Sequence, residues 1–453
     1  MDKKDPHILG EAPIRKLLIE YSLPSIIAMT LTSLYNIIDS IFIGHGVGAM
    51  AISGLAITFP LMNLLIAFCT LVGVGGATIS SIKLGQRDKK GTEDILGNVT
   101  MLCLVNAVVF GGISLIYLDE ILRFFGASDE TLPYARDFMQ VILAGAPVSY
   151  VMIGLNNIMR ATGYPKKAML SSVLSVGCNL ILAPIFIFSF DWGIRGAAFA
   201  TIVSQFIAML WVLQHFVDRK TYIRFRRGSF RLHTRIVKNI FSIGMSPFIM
   251  NVCACFVVIF INHQLLTYGD DYSIGAFGII NRVQMLFVMV VMGLAQGMQP
   301  IVGYNFGCGR IDRVRKSLKM GIFAGCCATT FGFLAAFVFP EAVVKSFTDD
   351  ALLIERSVFA LKVSMLAFPF VGSQIIICQF FQSIGKAAIA IFLSLSRQLV
   401  FLLPGLALLP LAFEVDGVWF SMPVSDLLAT AIAIVMLMLQ LRKFNKDIAF
   451  TNR

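Results

Sequence analysis

The chain repeats itself at an offset of 222 residues, and both copies are strongly apolar. Gly85 corresponds to Gly307 at this offset. Pro24 corresponds to Pro247 at an offset of 223, so about one residue was gained or lost early in the second copy. Two helical copies that meet around a common axis form a cleft between them. The duplication therefore predicts two similar bundles of helices rather than one continuous core.

The composition indicates that both copies lie in a membrane. The mean hydropathy is +0.81, with 57% hydrophobic and 14% charged residues, outside the range of soluble proteins. A helix needs ~20 mostly apolar residues to cross a hydrocarbon core about 30 Å thick. The apolar runs therefore predict an all-α polytopic membrane protein with twelve transmembrane helices. These spans lie near 15–43, 52–83, 95–117, 132–159, 167–189, 193–217, 237–266, 274–305, 317–340, 355–383, 387–411 and 417–441.

Positive charges are concentrated in alternate connections, which predicts the orientation in the membrane. The even-numbered connections carry Lys and Arg, including eight basic residues in 218–238. The odd-numbered connections are mostly acidic, with Asp119, Glu120 and Asp270 among them. Both termini are therefore predicted to be cytoplasmic. The net charge of +11 follows from this bias and from attraction to anionic membrane lipids, so no nucleic acid partner is expected.

Six spans per copy is an even number, so both copies enter the membrane in the same orientation. They are then expected to be related by a pseudo-twofold axis along the membrane normal. We predict an N-terminal six-helix lobe at 1–217, a basic cytoplasmic linker at 218–238 and a C-terminal six-helix lobe at 239–453. The first thirteen residues lack the apolar core and cleavage site of a signal peptide, so we expect the first span to be retained.

The sequence contains no recognisable catalytic or metal-binding motif. The nine cysteines show neither zinc-like spacing nor a disulfide framework. No HExxH, GxSxG or Walker A motif occurs, and no connection is long enough for a nucleotide-binding domain. We therefore expect neither an enzyme nor a bound cofactor. Energy for transport would come from an ion gradient or from the gradient of the substrate.

Asp39 is the clearest ionisable residue inside a predicted span. A charge there costs about 2.5–3.5 kcal/mol on insertion, so the residue needs a function or a buried partner. Helical spacing puts Tyr35 and Asn36 on the same face. A carboxylate beside a phenol and an amide can bind a proton, a small cation or a cationic drug. The alternative is a structural carboxylic acid held by interhelical hydrogen bonds. The counterpart in the second copy is near Asn262, which cannot titrate.

Other residues of the first copy extend this set. Asn179 in the fifth span and Thr201 in the sixth offer uncharged oxygens that can complete a cation site with Asp39, although each alone more often joins helices by hydrogen bonds. Pro24 lies fifteen residues before Asp39, where it is either a static kink or a hinge. The candidates to line a substrate cleft are Met29, Asn36, Asn156, Asn157 and Gln284.

The second copy has charges of its own inside the predicted spans. Arg397 and Asp426 each lie about ten residues into neighbouring spans that run in opposite directions, so both are expected near the membrane midplane. A neutralising Arg397–Asp426 pair is the favoured interpretation, and an ion site is the alternative. Arg282 and Gln284, in the eighth span, are expected to join the same polar layer.

Four segments carry a resemblance to a known family: YNIID at 35–39, NNIMRATG at 156–163, GIRGAAFAT at 193–201 and GMQPIVGYNFG at 297–307. Together they resemble the multidrug and toxic compound extrusion (MATE) transporters over residues 13–443. The acid in the first span, without one in the seventh or the middle of the tenth, is similar to the DinF-like branch of that family.

The resemblance implies a V-shaped pair of six-helix lobes with a central cleft, which alternate between outward-open and inward-open states. It implies export of organic cations driven by inward H⁺ or Na⁺, in the plasma membrane of a prokaryote, by what we expect to be a monomer in contact with membrane lipids. Matched residue by residue, the family's cation site would be Tyr35, Asp39, Asn179 and Thr201. Pro24 matches the proline at which the first helix is proposed to bend.

The chain departs from the family at Ala183, where an aspartate is usual. Asn179 and Ala183 are four residues apart and share a helix face, so the missing carboxylate would point into the same cluster. A Na⁺ ion held by Asp39, Asn179 and Thr201 would then have one anionic ligand instead of two, and hard cations favour charged oxygens. We therefore expect weak coupling to Na⁺.

Two other interpretations remain open at the level of sequence. A flippase for lipid-linked oligosaccharides or polysaccharides shares this architecture but would need several cations in its cleft, and the cations in mid-span are few, chiefly Arg282 and Arg397. An intramembrane enzyme would need a catalytic dyad or a metal cluster within the spans, and no such pattern is present.

Overall fold

The computed structural model describes residues 8–226, 228–348 and 350–451, apart from the side chains of 36, 37, 49, 271 and 446–450. Its regular secondary structure is helical. The helices are α1 Ile8–Glu11, α2 Ile14–Gly46, α3 Ala49–Gly85, α4 Lys89–Ile116, α5 Leu118–Phe124, α6 Leu132–Ala144, α7 Ala146–Ala161, α8 Pro165–Pro184, α9 Gly193–Val217, α10 Thr234–Tyr268, α11 Asp271–Gly307, α12 Ile311–Val338, α13 Pro340–Lys345, α14 Ala351–Ser364, α15 Phe368–Ser383, α16 Ala387–Leu395, α17 Leu403–Leu408 and α18 Pro410–Thr451.

The twelve predicted spans are confirmed, with a correction to the fourth and tenth. Among the described residues, ten spans contain a helix long and apolar enough to cross a membrane alone, and two are pairs of helices that meet at bends of 55° and 52°. These pairs are α6 with α7 and α14 with α15, each of which we expected to be one continuous helix. The bends follow from Pro147 and Pro369, which lie in the first turns of α7 and α15 and cannot donate a backbone hydrogen bond.

The bends belong to the repeated unit, because Pro147 and Pro369 are 222 residues apart. Two short helices show the same relationship. Helix α5 begins at Leu118 and α13 begins at Pro340, again 222 residues later. The hydropathy pattern did not predict these short helices, since each lies in a connection between spans. The repeat is therefore preserved in connections and bends as well as in the spans.

Two π-helical segments interrupt the fifth and eleventh spans. Ile185–Ser189 follows α8, directly after Pro184, and Ser396–Leu402 lies between α16 and α17, just before Pro404. A proline removes one backbone donor and widens the helix locally, which accommodates the wider π turn. The final helix, α18, has a kink at Glu414, where φ is 50°, so its long membrane-crossing part follows that residue.

Close helix crossings depend on two glycines that the repeat relates. A Cβ atom at Gly85 would overlap the carbonyl oxygen of Tyr304, and one at Gly307 would overlap that of Ile82. Ile82 and Tyr304 are themselves 222 residues apart, so the ends of α3 and α11 contact each other reciprocally. The thiol of Cys308 also donates to the Gly85 carbonyl at 3.0 Å. Glycine is required at both positions because backbone lies directly against backbone.

The described chain divides into two compact units. Unit 1 contains 8–13, Ile27–Asn251 and Gly303–Cys308, and unit 2 contains Ile14–Ile26, Val252–Val302 and 309–451. Helices α2, α10 and α11 each contribute to both units. The change of unit within α2 comes two residues after Pro24, and the change within α10 comes four residues after Pro247.

The basic segment between the copies packs on unit 1. Asn98 of α4 donates to the carbonyls of Ser229 and Arg231, at 3.2 and 3.0 Å, and accepts from the His233 N–H at 2.9 Å. Arg226 forms an ion pair with Asp94 at 3.1 Å. The segment is thereby fixed to the start of α4.

The connection from α3 to α4 is ordered by a helix cap. The Gly91 N–H donates to Asp88 Oδ1 at 2.8 Å, and the ammonium of Lys83 lies 3.0 Å from Asp88 Oδ2. The backbone hydrogen bond, followed by Lys83, holds the pKa of the Asp88 carboxyl below its usual value. The cap satisfies one of the free N–H groups at the start of α4.

Candidate functional site

The candidate cation site lies within unit 1, where three helices bring its residues together. Tyr35 and Asp39 come from α2, Asn179 and Ala183 from α8, and Thr201 from α9. Asn179, Ala183 and Thr201 are buried, and Asp39 is 7% exposed. The spacing of four residues on α2 and on α8 puts each pair on one helix face, as the sequence predicts.

Thr201 is the centre of the hydrogen-bond network. The Tyr35 hydroxyl lies 2.9 Å from Thr201 Oγ1, and Asn179 Nδ2 donates to the same oxygen at 3.1 Å. The Thr201 hydroxyl lies 3.1 Å from the Ala197 carbonyl, which can only accept. Because a hydroxyl has one hydrogen, Thr201 donates to Ala197 and Tyr35 must donate to Thr201. The hydrogen of Tyr35 is therefore directed at Thr201 and not at Asp39.

Asp39 has an oxygen without a partner. Its Oδ1 is buried and accepts no hydrogen bond from any described side chain or backbone group. A buried carboxylate oxygen in this state is unfavourable, since its desolvation is not compensated. A proton or a cation would compensate it. The Asn36 side chain, which the sequence predicts on this face, lies outside the described residues.

Ala183 closes one side of the cluster without contributing a ligand. It is 0% exposed and lies one turn after Asn179 on α8. A methyl group cannot coordinate a cation, so Asp39 is the one carboxylate among the described members of the cluster. Among the described residues, no group of three or more His, Cys, Asp or Glu side chains could hold a metal ion.

The remaining candidates in the first copy have different surroundings. Pro24 is buried within α2, which continues through it as one helix, and Met29 is half-buried one turn later. Asn156 is 5% exposed, and its Nδ2 donates to the Ala168 carbonyl at 2.9 Å while its oxygen accepts from Arg160 at 3.2 Å. The polar groups of Asn156 are thus engaged in packing α7 against α8, which gives no support to its role in a cleft.

Asn157 and the candidates of the second copy remain accessible to different degrees. Asn157 is half-buried beside Gly73 of α3. Gln284 is half-buried and Arg282 is exposed on α11. Asn262, near the position that corresponds to Asp39, has a buried Oδ1 without a hydrogen-bond partner among the described residues. A role for these residues in substrate binding stays a prediction.

Arg397 and Asp426 form an ion pair within unit 2. Arg397 Nε donates to Asp426 Oδ1 at 2.7 Å, and the Asp426 side chain is 7% exposed. The pair joins the π-helical segment Ser396–Leu402 to α18. A buried carboxylate is thereby neutralised inside the membrane-spanning part of the chain.

Comparison with known proteins identifies the family. A family model described as MatE matches residues 24–185 and 243–406, one match in each copy and well over half of the chain. The chain belongs to the MATE family. It is therefore a multi-pass membrane transporter and not an enzyme, as the sequence predicts.

Individual relatives agree with this assignment over almost the whole chain. The multidrug export protein MepA of Staphylococcus aureus (strain MRSA252) is 28% identical over 449 residues, which are 97% of either chain. A solved structure of the MATE multidrug transporter DinF-BH is 33% identical, with a TM-score of 0.88 over 95% of this chain and 96% of that one. A crystal structure described as MATE in the bent conformation has a TM-score of 0.93 at 24% identity over 99% and 100% of the two chains, which shows the same fold.

One polar contact of this MATE chain was not predicted from the sequence. Ser149 of α7 and Gln205 of α9 form a hydrogen bond inside unit 1. Both residues are uncharged, whereas our search of the spans began from ionisable groups. The signal that would have found them is a polar side chain in the middle of each of two neighbouring spans.

Proposed function

We propose that this MATE protein exports organic cations, including cationic drugs, by alternating access coupled to an inward cation, with Asp39 as the coupling carboxylate. The observation that carries the proposal is the buried, unpartnered Oδ1 of Asp39 beside the Tyr35–Thr201–Asn179 network. The description of the relatives as multidrug export proteins supports drugs as the cargo and gives no support to the flippase alternative.

The proposed cycle uses one carboxylate for two positive charges in turn. An organic cation enters while Asp39 is ionised, and an external cation then occupies Asp39 and favours release of the drug to the outside. Burial makes an uncompensated carboxylate costly, so each state is stabilised by one of the two cations and not by neither. An inward monovalent cation supplies ~2.3 kcal/mol per 100 mV of membrane potential.

The geometry favours H⁺ over Na⁺ as the coupling ion. A proton needs only one carboxylate oxygen, which Asp39 has free. A Na⁺ ion would need several oxygens, and the Thr201 oxygen already accepts two hydrogen bonds while its hydrogen is donated to Ala197. With Ala183 in place of a second acid, Na⁺ would also have a single anionic ligand.

The same proposal includes the setting of the protein. Both termini are cytoplasmic, since the basic connections lie on that side of a prokaryotic plasma membrane. The chain acts as a monomer of two six-helix lobes with a central cleft, in the DinF-like branch of the family. Pro24 is the point at which α2 bends, because α2 changes from unit 2 to unit 1 two residues later.

Efflux of ethidium from cells that express the chain, with external pH and Na⁺ varied separately, tests the proposal. Asp39→Asn should abolish efflux at every pH, because an amide neither ionises nor exchanges a proton. Asp191→Asn is the matched control, since Asp191 is exposed and Asn tolerates its positive φ of 54°. Retained efflux in Asp39→Asn, at equal protein levels, would show that Asp39 is not the coupling residue.

A further inference from the structure

The ion pair in unit 2 uses only part of the Arg397 guanidinium. Nε donates to Asp426, and this is the hydrogen bond that Arg397 makes with the described residues. A guanidinium has five N–H groups, so the four on its terminal nitrogens have no protein acceptor there. Asp426 neutralises the charge, while the forked end of Arg397 remains able to donate.

The free end lies on the inner side of unit 2. Arg397 continues the face of α16 that carries Ala390, Leu393 and Ser394, which are 0%, 1% and 6% exposed. Phe392, on the opposite face, is 43% exposed, as expected of a side chain in contact with lipid.

The partners of the inner face confirm its direction. Ser394 lies 3.1 Å from the Cys378 thiol of α15, and Arg397 contacts α18 through Asp426. The Arg397 side chain is nevertheless 32% exposed. An arginine that is exposed on an inward face opens to a polar space rather than to hydrocarbon, because lipid exposure of its free donors would be costly.

We propose that the free end of Arg397 binds the carboxylate of zwitterionic substrates, so that the transporter accepts amphiphiles with an anionic group as well as simple cations. The planar fork matches a carboxylate with two parallel hydrogen bonds, which an ammonium cannot provide. Asp426 holds the fork in position and keeps the empty site neutral. This inference rests on the proposed export function and specifies a substrate class for it.

A pair of dyes that differ in one group tests the inference. Rhodamine 6G is a cationic ethyl ester, and its free acid, rhodamine 19, has the same ring system with a carboxylate. The affinity of each dye is measured by fluorescence anisotropy with the purified full chain in phosphatidylcholine nanodiscs. The quantity of interest is the ratio of the two dissociation constants, acid to ester, in each variant.

The double variant Arg397→Gln with Asp426→Asn removes the charges together and leaves no orphaned ion. We expect its acid-to-ester ratio to rise roughly tenfold, since charge-assisted hydrogen bonds to the carboxylate are lost, with ester affinity within about twofold of the parent. Arg397→Lys, which keeps the charge, should give an intermediate ratio. The exposed pair Arg195 and Asp137, 2.7 Å apart, supplies the matched control double variant, Arg195→Gln with Asp137→Asn.

An unchanged ratio in the double variant of Arg397 and Asp426 would overturn the inference. Equal weakening of both dyes would overturn it too, since the pair would then be structural. Because the readout is binding, it is independent of coupling. Persistent efflux in Asp39→Asn would refute the proposed function and leave the acid-to-ester ratio to decide the role of Arg397.

Discussion

At the scale of the residue, the cluster around Asp39 shows what helical spacing can and cannot predict. The spacing puts Tyr35 with Asp39 and Asn179 with Ala183. It does not reveal that Thr201 would accept from both Tyr35 and Asn179, which leaves Asp39 Oδ1 alone. That outcome depends on the rotation of three helices about their axes, which interhelical packing sets.

Ala183→Asp tests the importance of the missing acid. A second carboxylate one turn after Asn179 should let Na⁺ support ethidium efflux. We expect the Na⁺ concentration for half-maximal efflux to fall by roughly tenfold, because a second anionic ligand contributes on the order of 1–2 kcal/mol after its own desolvation. Efflux is measured against external Na⁺ at fixed pH.

Ala183→Asn is the control, since it adds a side chain of the same size without a charge. Its Na⁺ dependence should equal that of the parent chain. If Ala183→Asp gave the same Na⁺ dependence as Ala183→Asn in well-folded protein, the anionic ligand would not limit coupling to Na⁺.

At the scale of the element, the spans could be predicted because apolar length is a property of each segment alone. The bends after Ala144 and Ser364 could not be predicted in the same way, since both halves of each bent pair are apolar and a hydropathy average includes both. Pro147 and Pro369 were visible in the sequence. Their shared offset, rather than their presence, is the signal that they mark a repeated break.

Helix crossings provide a test at the same scale. Gly85→Ala should lower the stability of the protein by about 1–3 kcal/mol, because the new methyl group overlaps the Tyr304 backbone oxygen, which cannot move aside as a side chain would. Gly307→Ala should lower it similarly, since its contact with Ile82 is the counterpart in the repeat. Thermal unfolding of purified protein, followed by fluorescence-detected size exclusion, measures both effects.

Gly112→Ala is the matched control, since no atom lies within 4 Å of the added Cβ in the middle of α4. It should be neutral or stabilising by up to about 1 kcal/mol, because alanine favours the helix more than glycine does. A Gly85→Ala protein as stable as the Gly112→Ala protein would contradict the close crossing of α3 and α11.

At the scale of the whole molecule, the two copies have kept their scaffold and changed their polar residues. Bends, short helices and close glycines recur at the same offset, whereas Asp39 faces a counterpart near Asn262, and the Arg397–Asp426 pair belongs to the second copy. Scaffold positions are constrained by packing in both copies. Polar positions are constrained by chemistry, and one copy alone can supply each function.

Orientation is the property of the whole chain that the charge pattern predicts. Lys and Arg resist transfer across the membrane, so the basic segment 218–238 and both termini should face the cytoplasm. A fluorescent protein fused after Arg453 should therefore fluoresce in cells, because it folds in the cytoplasm. Alkaline phosphatase inserted at Gly126, between α5 and α6, should be active, because it requires export. An active phosphatase after Arg453, with an inactive one at Gly126, would show that the charge bias does not set the orientation and would reverse the direction of transport inferred from it.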